Sequence, residues 1–410
     1  MRTSSQMTRR RSVARVFSMG WVEESGSGII DSLFQNHLMK IAFNAWFLEP
    51  SLAQNTGTGQ YARHVADSIA EIAPGVQIEF VEPRRRSNLG KVAFEQFAFP
   101  NAARHMKADV AFVPYWGPPL ASDVPVVTTI HDVIQVALPE YRGRIHHRAY
   151  FSLARAGALA AAAVLTDSEF SRDDIVRHLG VSAERMRVIP LAAEARFSPG
   201  QPYEDLERVR EQYGLPDQFV LYLGGFDRRK NIETLFQVYG WCGDSIGEEF
   251  PLVVTGLPDD LAWTADGTHM PLGQMVRDLH IESEVRFIGR PPDEDKPALY
   301  AMARAFLYPT LYEGFGVPAL EAMASGTPVV GGNSSSVAEV VGSAGMLVDP
   351  LDARAMAGAL IAVCIQDDLH QRLRQRSMLR AAEFSWQRTA YETLAVLKGV
   401  GGKGGGAVTS

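Results

Sequence analysis

The sequence predicts an α/β protein with two doubly wound domains that face each other across a cleft. From Met39 onward, short runs rich in β-branched and aromatic residues alternate with helical patterns, which is typical of βαβ units with parallel sheets. The runs form two series, separated by a polar connection with proline and glycine at residues 197–218. A chain of 410 residues also exceeds one compact core, which favours two domains.

Each predicted strand is a short, largely apolar run. The first series is KIAFNAWFL, VQIEFV, DVAFVP, VPVVTTI, AAVLTD and MRVIPL, and the second is FVLYLGG, PLVVTG, VRFIGR, AFLYPT, TPVVGG and GMLVDP. Helices are predicted between them, including GQYARHVADSIAEI, EFSRDDIVRHLG, NIETLFQVYGWC and DEDKPALYAMA. The predicted divisions are a leader at 1–38, domains at 39–198 and 199–383, a closing helix at 384–398 and a flexible tail at 399–410.

Charge and composition exclude several classes of function. A net charge of −7 argues against bulk nucleic-acid binding, which relies on clustered Lys and Arg, so any anion site has to be local. The two cysteines, Cys242 and Cys364, lack the spacing of a disulfide framework or a zinc site, which fits a cytoplasmic setting. No apolar run reaches the roughly 20 residues of a spanning helix. Because the leader lacks the apolar region and cleavage site of a secretory signal, it is expected to be disordered or an upstream misassigned start.

The stretch YPTLYEGFGVPALEAMASGTPVV places Glu313 and Glu321 eight positions apart around a glycine-broken turn. Glu313 is predicted to lie in the loop after a strand, and Glu321 in the first turn of a helix that ends at Gly326. Since an ionised carboxylate only accepts hydrogen bonds, two of them suit a ligand rich in donors, such as a ribose and a hexose. Gly314 and Gly316 let the backbone approach such a ligand closely. The alternative for Glu321 alone is that it complements the helix dipole.

Polar residues follow two other predicted strands at their carboxyl ends, where doubly wound sheets bind their ligands. LYLGGFDRRKNIETLF contains the basic segment Arg228, Arg229 and Lys230, whose alternative interpretation is a solvated charged run. PVVTTIHDVIQ contains His131 and Asp132, and an isolated histidine is more often structural. In addition, NTGTGQYARHV contains two glycines at a predicted helix start, which suits a phosphate or sugar but also an ordinary βα turn.

These motifs together resemble the retaining glycosyltransferases of family 4, which have the two-domain GT-B fold. EGFGVPALEAMASGTPVV is similar to the E-x7-E region of that family, and the likeness runs from about Met39 to Leu397. The resemblance implies a nucleotide-sugar donor, with Glu321 on the ribose hydroxyls. It also implies that Glu313 orients the hexose, together with the backbone of Phe315 and Gly316.

The resemblance assigns the donor diphosphate to the basic segment. Arg229 and Lys230 are the best matches, but relatives often carry an arginine where this chain has Gly225, so the choice between Arg228 and Arg229 stays open. Two cations at a helix start would oppose the charge that develops on a departing nucleoside diphosphate.

The resemblance also assigns roles to the first domain. It implies that His131 of the His131–Asp132 pair faces the donor sugar, and that Gly57 and Gly59 lie beside the diphosphate and the acceptor. The closing helix is expected to cross back onto the first domain.

No metal ion and no cofactor are expected. Asp293, Glu294 and Asp295 formally match a DxD metal motif, but they open a predicted helix, where acidic capping residues are expected for structural reasons. The segment EPRRRSNLGKVAFEQFAFPNAARHMKAD could contact anionic lipid at the inner membrane face or be a solvated loop with a partly buried helix. Its basic and aromatic residues are Arg84, Arg85, Arg86, Lys91, Phe94, Phe97 and Phe99.

The sequence therefore predicts a cytoplasmic, metal-independent, retaining glycosyltransferase. It would move a hexose, mannose or glucose, from a nucleoside-diphosphate sugar to a glycan or lipid-linked acceptor in surface polysaccharide synthesis. The alternatives are a sugar-nucleotide epimerase or phosphorylase-like enzyme of the same fold, a glycoside hydrolase, and a non-catalytic sugar-nucleotide-binding protein. The base, the hexose, the acceptor, the oligomeric state and the microscopic mechanism of retention stay open.

Overall fold

A computed structural model describes residues 39–143 and 145–402, apart from the side chains of Gln54 and Asn55. The predictions on the leader at 1–38 and on the end of the tail at 403–410 lie outside the described residues. The described chain contains two parallel six-stranded sheets and a small antiparallel hairpin. This confirms the predicted α/β class and all of the predicted strands.

The first sheet has the strand order β2-β1-β3-β4-β5-β6, and all its neighbouring strands are parallel. Its strands are short and largely buried, as expected when helices cover both faces of a sheet. Their bounds are β1 Lys40–Asn44, β2 Gln77–Val81, β3 Val110–Val113, β4 Val126–Thr129, β5 Ala163–Thr166 and β6 Met186–Val188.

The second sheet has the order β11-β8-β7-β12-β13-β14 and is also parallel. The chain enters it at β7 and reverses its direction of winding between β7 and β12, and such a reversal opens a crevice at the carboxyl ends of the strands. The bounds, with the hairpin β9–β10 included, are β7 Val220–Tyr222, β8 Leu252–Val254, β9 Leu261–Trp263, β10 His269–Pro271, β11 Val285–Phe287, β12 Ala305–Tyr308, β13 Val329–Gly332 and β14 Met346–Val348.

Helices connect nearly all of the strands and bury their apolar faces against the sheets. Their bounds are α1 Pro50–Asn55, α2 Gly57–Ile72, α3 Asn88–Ala93, α4 Phe99–His105, α5 Ile134–Ala137, α6 Ile145–Ala160, α7 Glu169–Leu179, α8 Tyr203–Tyr213, α9 Ile232–Cys242, α10 Leu272–Asp278, α11 Lys296–Met302, α12 Val317–Ala324, α13 Ser335–Val341, α14 Ala353–Ile365, α15 Asp367–Ala381 and α16 Trp386–Gly401.

Two predicted elements of the first sheet have different limits. The run KIAFNAWFL is not one strand, because the Asn44 side chain accepts a hydrogen bond from the Trp46 N–H at 3.0 Å and the chain turns there into a 3-10 helix. After α1, Thr56 caps α2 by accepting from the Gly59 N–H at 3.0 Å. Gly57 and Gly59 therefore lie in the first turn of a helix and not in a loop.

Two predicted helix starts in the second half also differ. Glu321 is the fifth residue of α12, one turn later than predicted, because α12 begins at Val317. Helix α11 begins at Lys296, so Asp293 precedes it. Gly326 follows α12 with φ 77°, as predicted for a helix end.

The last helix, α16, packs against α2 and against β3 and β5 of the first sheet. Ser385 caps it by accepting from the Arg388 N–H, and the Thr389 hydroxyl donates to the Pro190 carbonyl at 2.7 Å. The helix therefore returns from the second half of the chain to the layer that covers the first sheet.

Polar contacts join the two halves beside the carboxyl edges of the sheets. The hydroxyls of Ser168 and Ser171 donate to the Gly314 carbonyl at 2.7 and 2.9 Å. The Tyr312 hydroxyl donates to Asp174 Oδ2 at 2.7 Å. These contacts hold the loop after β12 against the N-terminal end of α7.

Candidate active site

A cleft of about 370 Å³ lies between the carboxyl edges of the two sheets. It brings together residues from the loop after β12, the start of α2, the loop after β4 and the basic segment before α9. Of the predicted site residues, it is lined by Gly57, His131, Asp132, Arg229, Glu313, Gly314, Phe315, Gly316 and Glu321.

Glu313 is the most heavily bonded side chain at the cleft. Its Oε1 accepts hydrogen bonds from the Lys230 ammonium, from the Tyr308 hydroxyl at 2.7 Å and from the Thr310 hydroxyl at 3.1 Å. Its Oε2 accepts from Arg229 Nη1 at 2.6 Å. Burial alone would raise the pKa of Glu313, but the two cations outweigh burial and hold the pKa below its usual value. Glu313 is therefore a charged internal counterion.

The basic segment is held in place by hydrogen bonds to the backbone of two other loops. Arg228–Lys230 form one 3-10 turn, and Asn231 follows in the left-handed conformation at φ 55°. The Asn231 side chain donates to the carbonyls of Pro309 and Pro350 at 3.0 and 2.7 Å, which ties this turn to the segments that follow β12 and β14. Lys230 is only 6% exposed.

The two arginines of this segment point to different places. Arg229 lines the cleft, where its Nε also lies 3.0 Å from Asp227 Oδ1. Arg228 does not line the cleft, and its Nε lies 3.5 Å from Glu140 Oε1 of the first half. The geometry therefore favours Arg229 for a ligand in the cleft.

His131 is oriented by a buried carboxylate. Its Nδ1 lies 2.7 Å from Asp167 Oδ2, while its Nε2 is buried and has no hydrogen-bond partner among the described residues. Burial alone would lower the pKa of His131, but Asp167 and Asp132 outweigh burial and raise it. An unpartnered buried nitrogen next to a cleft is a feature of binding and catalytic sites.

Three other predicted residues, Asp132, Gly57 and Gly59, have different local surroundings. Asp132 lines the cleft, and its Oδ1 accepts from the Ile134 N–H at 3.1 Å at the start of α5. A Cβ on Gly57 would meet nothing within 4 Å, so Gly57 leaves space at the cleft wall. Gly59 does not line the cleft, and a Cβ there would lie 2.2 Å from the Leu52 carbonyl oxygen. Gly59 is therefore required by the packing of α1 on α2.

Glu321 faces the cleft from the second turn of α12. Its Oε2 accepts from the Tyr300 hydroxyl at 3.2 Å. Burial raises the pKa of Glu321 to about 7, and the lysine at 296 offsets this only in part. Glu313 and Glu321 thus differ in charge state, because only Glu313 contacts cations directly.

The turn between the two glutamates is shaped by its glycines. A Cβ on Gly314 would lie 2.5 Å from the His131 carbonyl oxygen, so this position allows the two halves to approach closely. Gly316 has φ 98° and caps α12. The Phe315 ring is buried against Phe384, so only its backbone suits a polar ligand.

A larger cavity of about 590 Å³ lies at the carboxyl ends of β7, β8 and β11. Its walls include Trp263 and His269 of the hairpin β9–β10, whose ring centroids are 4.0 Å apart. The Trp263 N–H donates to the Phe226 carbonyl at 3.2 Å, in the loop that leads to the basic segment. Neither the hairpin nor this cavity was predicted from the sequence.

Asp167, Tyr61, His64 and Trp386 also line the cleft, although the sequence patterns did not single them out. Asp167 directly follows β5, so the rule that ligands bind beyond the carboxyl ends of strands identifies it. Trp386 stacks on His64 with ring centroids 4.5 Å apart. This contact joins α16 to α2, and nothing in the local sequence indicates it.

Two residues of the acidic triplet at 293–295 pair with nearby side chains. The buried Asp295 accepts from the Tyr213 hydroxyl at 2.6 Å and lies 2.8 Å from Arg208 Nη1, and Asp293 lies 2.5 Å from Lys296 Nζ. Within residues 39–143 and 145–402, no group of three or more His, Cys, Asp or Glu side chains could hold a metal ion.

Part of the basic, aromatic segment at residues 82–109 is buried in the first half of the chain. Phe94 and Phe99 are buried, and Lys91 pairs with the buried Glu95 at 2.6 Å. The Arg86 guanidinium bonds to the Trp46 carbonyl. Phe97, 67% exposed, Arg84 and Arg85 remain at the surface. Across the described residues, no helix is both long and apolar enough to cross a membrane. Peripheral membrane contact stays a prediction.

Comparisons with known proteins identify the class. Residues 205–380 match the family of glycosyl transferases group 1, and residues 56–195 match glycosyltransferase family 4. The chain is 36% identical to the O-antigen chain mannosyltransferase B of Escherichia coli over 276 residues, 66% of this chain and 70% of that relative. It is 27% identical to the serotype-specific mannosyltransferase WbdA of Escherichia coli over 282 residues, which are only 33% of WbdA.

Solved structures with low identity share the fold. Sucrose-phosphate synthase from Thermosynechococcus elongatus has a TM-score of 0.66 and 21% identity over 88% of this chain and 99% of that chain. Anabaena Alr3699/HepE in complex with UDP-glucose has a TM-score of 0.64 and 20% identity over 88% of this chain and 100% of that chain. The chain belongs to the family 4 glycosyltransferases and has the GT-B architecture, which confirms the resemblance inferred from its motifs.

Proposed function

We propose that this glycosyltransferase is a retaining enzyme that transfers mannose from a nucleoside-diphosphate sugar to a glycan or lipid-linked acceptor in surface polysaccharide synthesis. The observation that carries the proposal is the convergence of Arg229, Glu313, Glu321 and His131 on one cleft between the two sheets, with the buried Lys230 paired to Glu313 behind the cleft wall. The choice of mannose and of surface polysaccharide is supported by the names of the Escherichia coli relatives, an O-antigen chain mannosyltransferase and a serotype-specific mannosyltransferase.

The donor fits the second half as an ordered series of contacts. The base would occupy the 590 Å³ cavity, where the aromatic rings of Trp263 and His269 offer stacking surfaces. The ribose hydroxyls would donate to Glu321, the diphosphate would contact Arg229 and Lys230, and the hexose would lie between these cations and the first half. No metal ion is required, because fixed cations supply the positive charge.

Glu313 explains how two cations are kept in place before the donor arrives. In the ligand-free protein, Glu313 satisfies Lys230 and Arg229, so neither cation is left buried without a partner. The diphosphate would share or replace this carboxylate as their partner. As the sugar–phosphate bond breaks, negative charge grows on the leaving oxygen, and cations already in position stabilise it without reorganisation.

His131 would contact the hexose from the first half. Asp167 fixes Nδ1 of the imidazole, and the unpartnered Nε2 is available to a sugar hydroxyl. The contacts of Gly314 with Ser168 and Ser171 keep the donor loop against the first half, which excludes water from the reacting centre.

The pKa of Glu321 predicts a pH dependence of donor binding. The ionised carboxylate accepts from ribose hydroxyls with both oxygens, whereas the protonated acid has one fewer acceptor and a weaker one, so affinity for a nucleotide sugar should fall as the pH drops through about 7. One unit below the pKa, the loss is about tenfold. Titration calorimetry with GDP-mannose between pH 6 and 8 measures this, because the diphosphate of a sugar nucleotide does not titrate in that range. The control is Glu321→Gln, whose affinity should not change with pH in this window, and an equally pH-dependent variant would contradict the role of Glu321.

Transfer itself tests the proposal. GDP-, UDP- and ADP-sugars are incubated with the protein and a synthetic mannoside acceptor, and NMR reads the anomeric configuration of the product. We expect a mannoside with the same α configuration as the donor, with no requirement for added Mg²⁺. An isomerised nucleotide sugar, a sugar phosphate or a β-linked product would overturn the assignment.

A further inference from the structure

A second concave surface, on the first half of the chain, is lined by three arginines and a histidine among polar and apolar residues. This basic pocket lies among α5, α6 and α7 and has a volume of about 270 Å³. Its basic residues are Arg142, Arg148, Arg155 and His178, and no acidic side chain of the described residues lines it. None of the predicted functions uses these residues.

The three arginines are exposed at the surface. In the part of the chain that the structure describes, none of them forms an ion pair, and Arg155 Nε donates to the Leu179 carbonyl at 2.8 Å. The nearest carboxylate is Asp174, 3.9 Å from His178 Nε2. Asp174 Oδ1 lies nearer to Arg177 Nη1, at 3.5 Å, and Arg177 does not line the pocket.

Such a cluster favours binding of an anion. Like charges that converge on one concave surface repel each other, and this repulsion is relieved when an anion binds. Guanidinium groups match the oxygens of phosphate with paired, parallel hydrogen bonds, better than the point charge of lysine does. In a chain of net charge −7, a local excess of positive charge is the exception. The chemistry of the pocket is therefore that of a phosphate site.

The pocket borders the acceptor side of the cleft. Arg142 directly follows Tyr141, whose hydroxyl donates to Asp227 Oδ1 at 2.5 Å and accepts from the Arg229 N–H at 3.2 Å. Gln135, on the opposite rim, lies in α5, which begins two residues after Asp132. One end of the pocket thus adjoins the loops that contact the donor segment.

We infer that the basic pocket binds a phosphate group of the acceptor, as a glycosyl phosphate or diphosphate, and thereby holds the acceptor beside the cleft. The assignment to the acceptor rests on the proposed function, whereas the phosphate site itself does not. The chemistry is shared by membrane headgroups, which the second experiment separates from the acceptor.

Binding of inorganic pyrophosphate at low salt tests the site directly. By titration calorimetry, we expect the wild-type protein to bind two molecules, one at Arg229 and Lys230 and one in the basic pocket. R148Q/R155Q should lose one of them, whereas R104Q/R177Q, with the same change of charge on exposed positions of the same half, should lose none. If R148Q/R155Q binds as many molecules as the wild type, or the control loses as many, the inference is overturned.

Two acceptors that differ by one phosphate show whether the phosphate bound in the basic pocket belongs to the acceptor. With phenyl α-mannosyl phosphate, R148Q/R155Q should raise the KM at least tenfold, while the KM for phenyl α-mannoside stays within twofold. An equal change for both acceptors, or none for the phosphorylated one, overturns the acceptor assignment. Weaker binding of R148Q/R155Q than of R104Q/R177Q to phosphatidylglycerol vesicles would also overturn the acceptor assignment, because the pocket would then bind headgroups. Failure of the wild type to transfer to either acceptor would count against the proposed function, while the pyrophosphate count would still decide the site.

Discussion

Replacement of Lys230 by methionine is expected to lower turnover about 10²–10³-fold, because one preorganised cation no longer opposes the charge on the leaving diphosphate. The same change leaves Glu313, 8% exposed, with Arg229 as its remaining cation. The loss of stability should therefore stay below the about 3–5 kcal/mol that a buried charge without any partner costs. K230M should therefore be slow and also less stable, as measured by steady-state transfer and by urea unfolding.

A second substitution separates the two effects. In K230M/E313Q, the glutamine still accepts from Tyr308 and Thr310, the carboxylate that lost one of its two cations is gone, and Arg229 keeps Asp227 as its partner. We expect the double variant to regain most of the lost stability and to remain as slow as K230M. Recovery of turnover together with stability would show that Lys230 acts only through folding, and would contradict its role at the diphosphate.

The residues of this cluster were predictable, but their mutual contact was not. Glu313 and Arg229 were both found from motifs at strand ends, and a doubly wound sheet brings such ends to one edge. They are 84 positions apart, and their 2.6 Å contact depends on how Asn231 ties the basic turn to Pro309. Sequence periodicity determines which residues reach the edge, whereas loop packing determines which of them touch.

The residues that the sequence missed depend on contacts between distant elements. Gly59 fits a phosphate-binding loop by pattern, but α1 occupies the space beside it and gives the glycine a packing role. The Trp263 hairpin is an insertion between β8 and α10 with only short, weakly patterned strands. His131 was found, but its partner Asp167 lies on another strand end, 36 positions away.

That partner provides the second large effect. Replacement of Asp167 by asparagine should lower turnover about tenfold to a hundredfold, because a buried charge-assisted hydrogen bond to His131 Nδ1 is lost. Asparagine can offer either its oxygen or its amide N–H₂ to Nδ1, so the imidazole no longer has one enforced tautomer. Affinity for the nucleotide should change little, since His131 is the charged group that Asp167 interacts with and no group of the basic segment shifts the pKa of Asp167.

The pH profile of D167N distinguishes this role from a purely structural one. The Asp167 carboxylate favours the imidazolium and raises the pKa of His131, so its removal should shift the acidic limb of the turnover profile to lower pH. The matched control is D173N, which removes an exposed carboxylate bonded to Arg172 on α7, the helix that follows Asp167, and should leave the limb in place. Turnover against pH, with histidine NMR for the protonation state, measures both. An unshifted limb with wild-type turnover in D167N would mean that the orientation of His131 does not matter for transfer. A shifted limb in D173N would mean that any loss of negative charge in this half of the protein has the same effect.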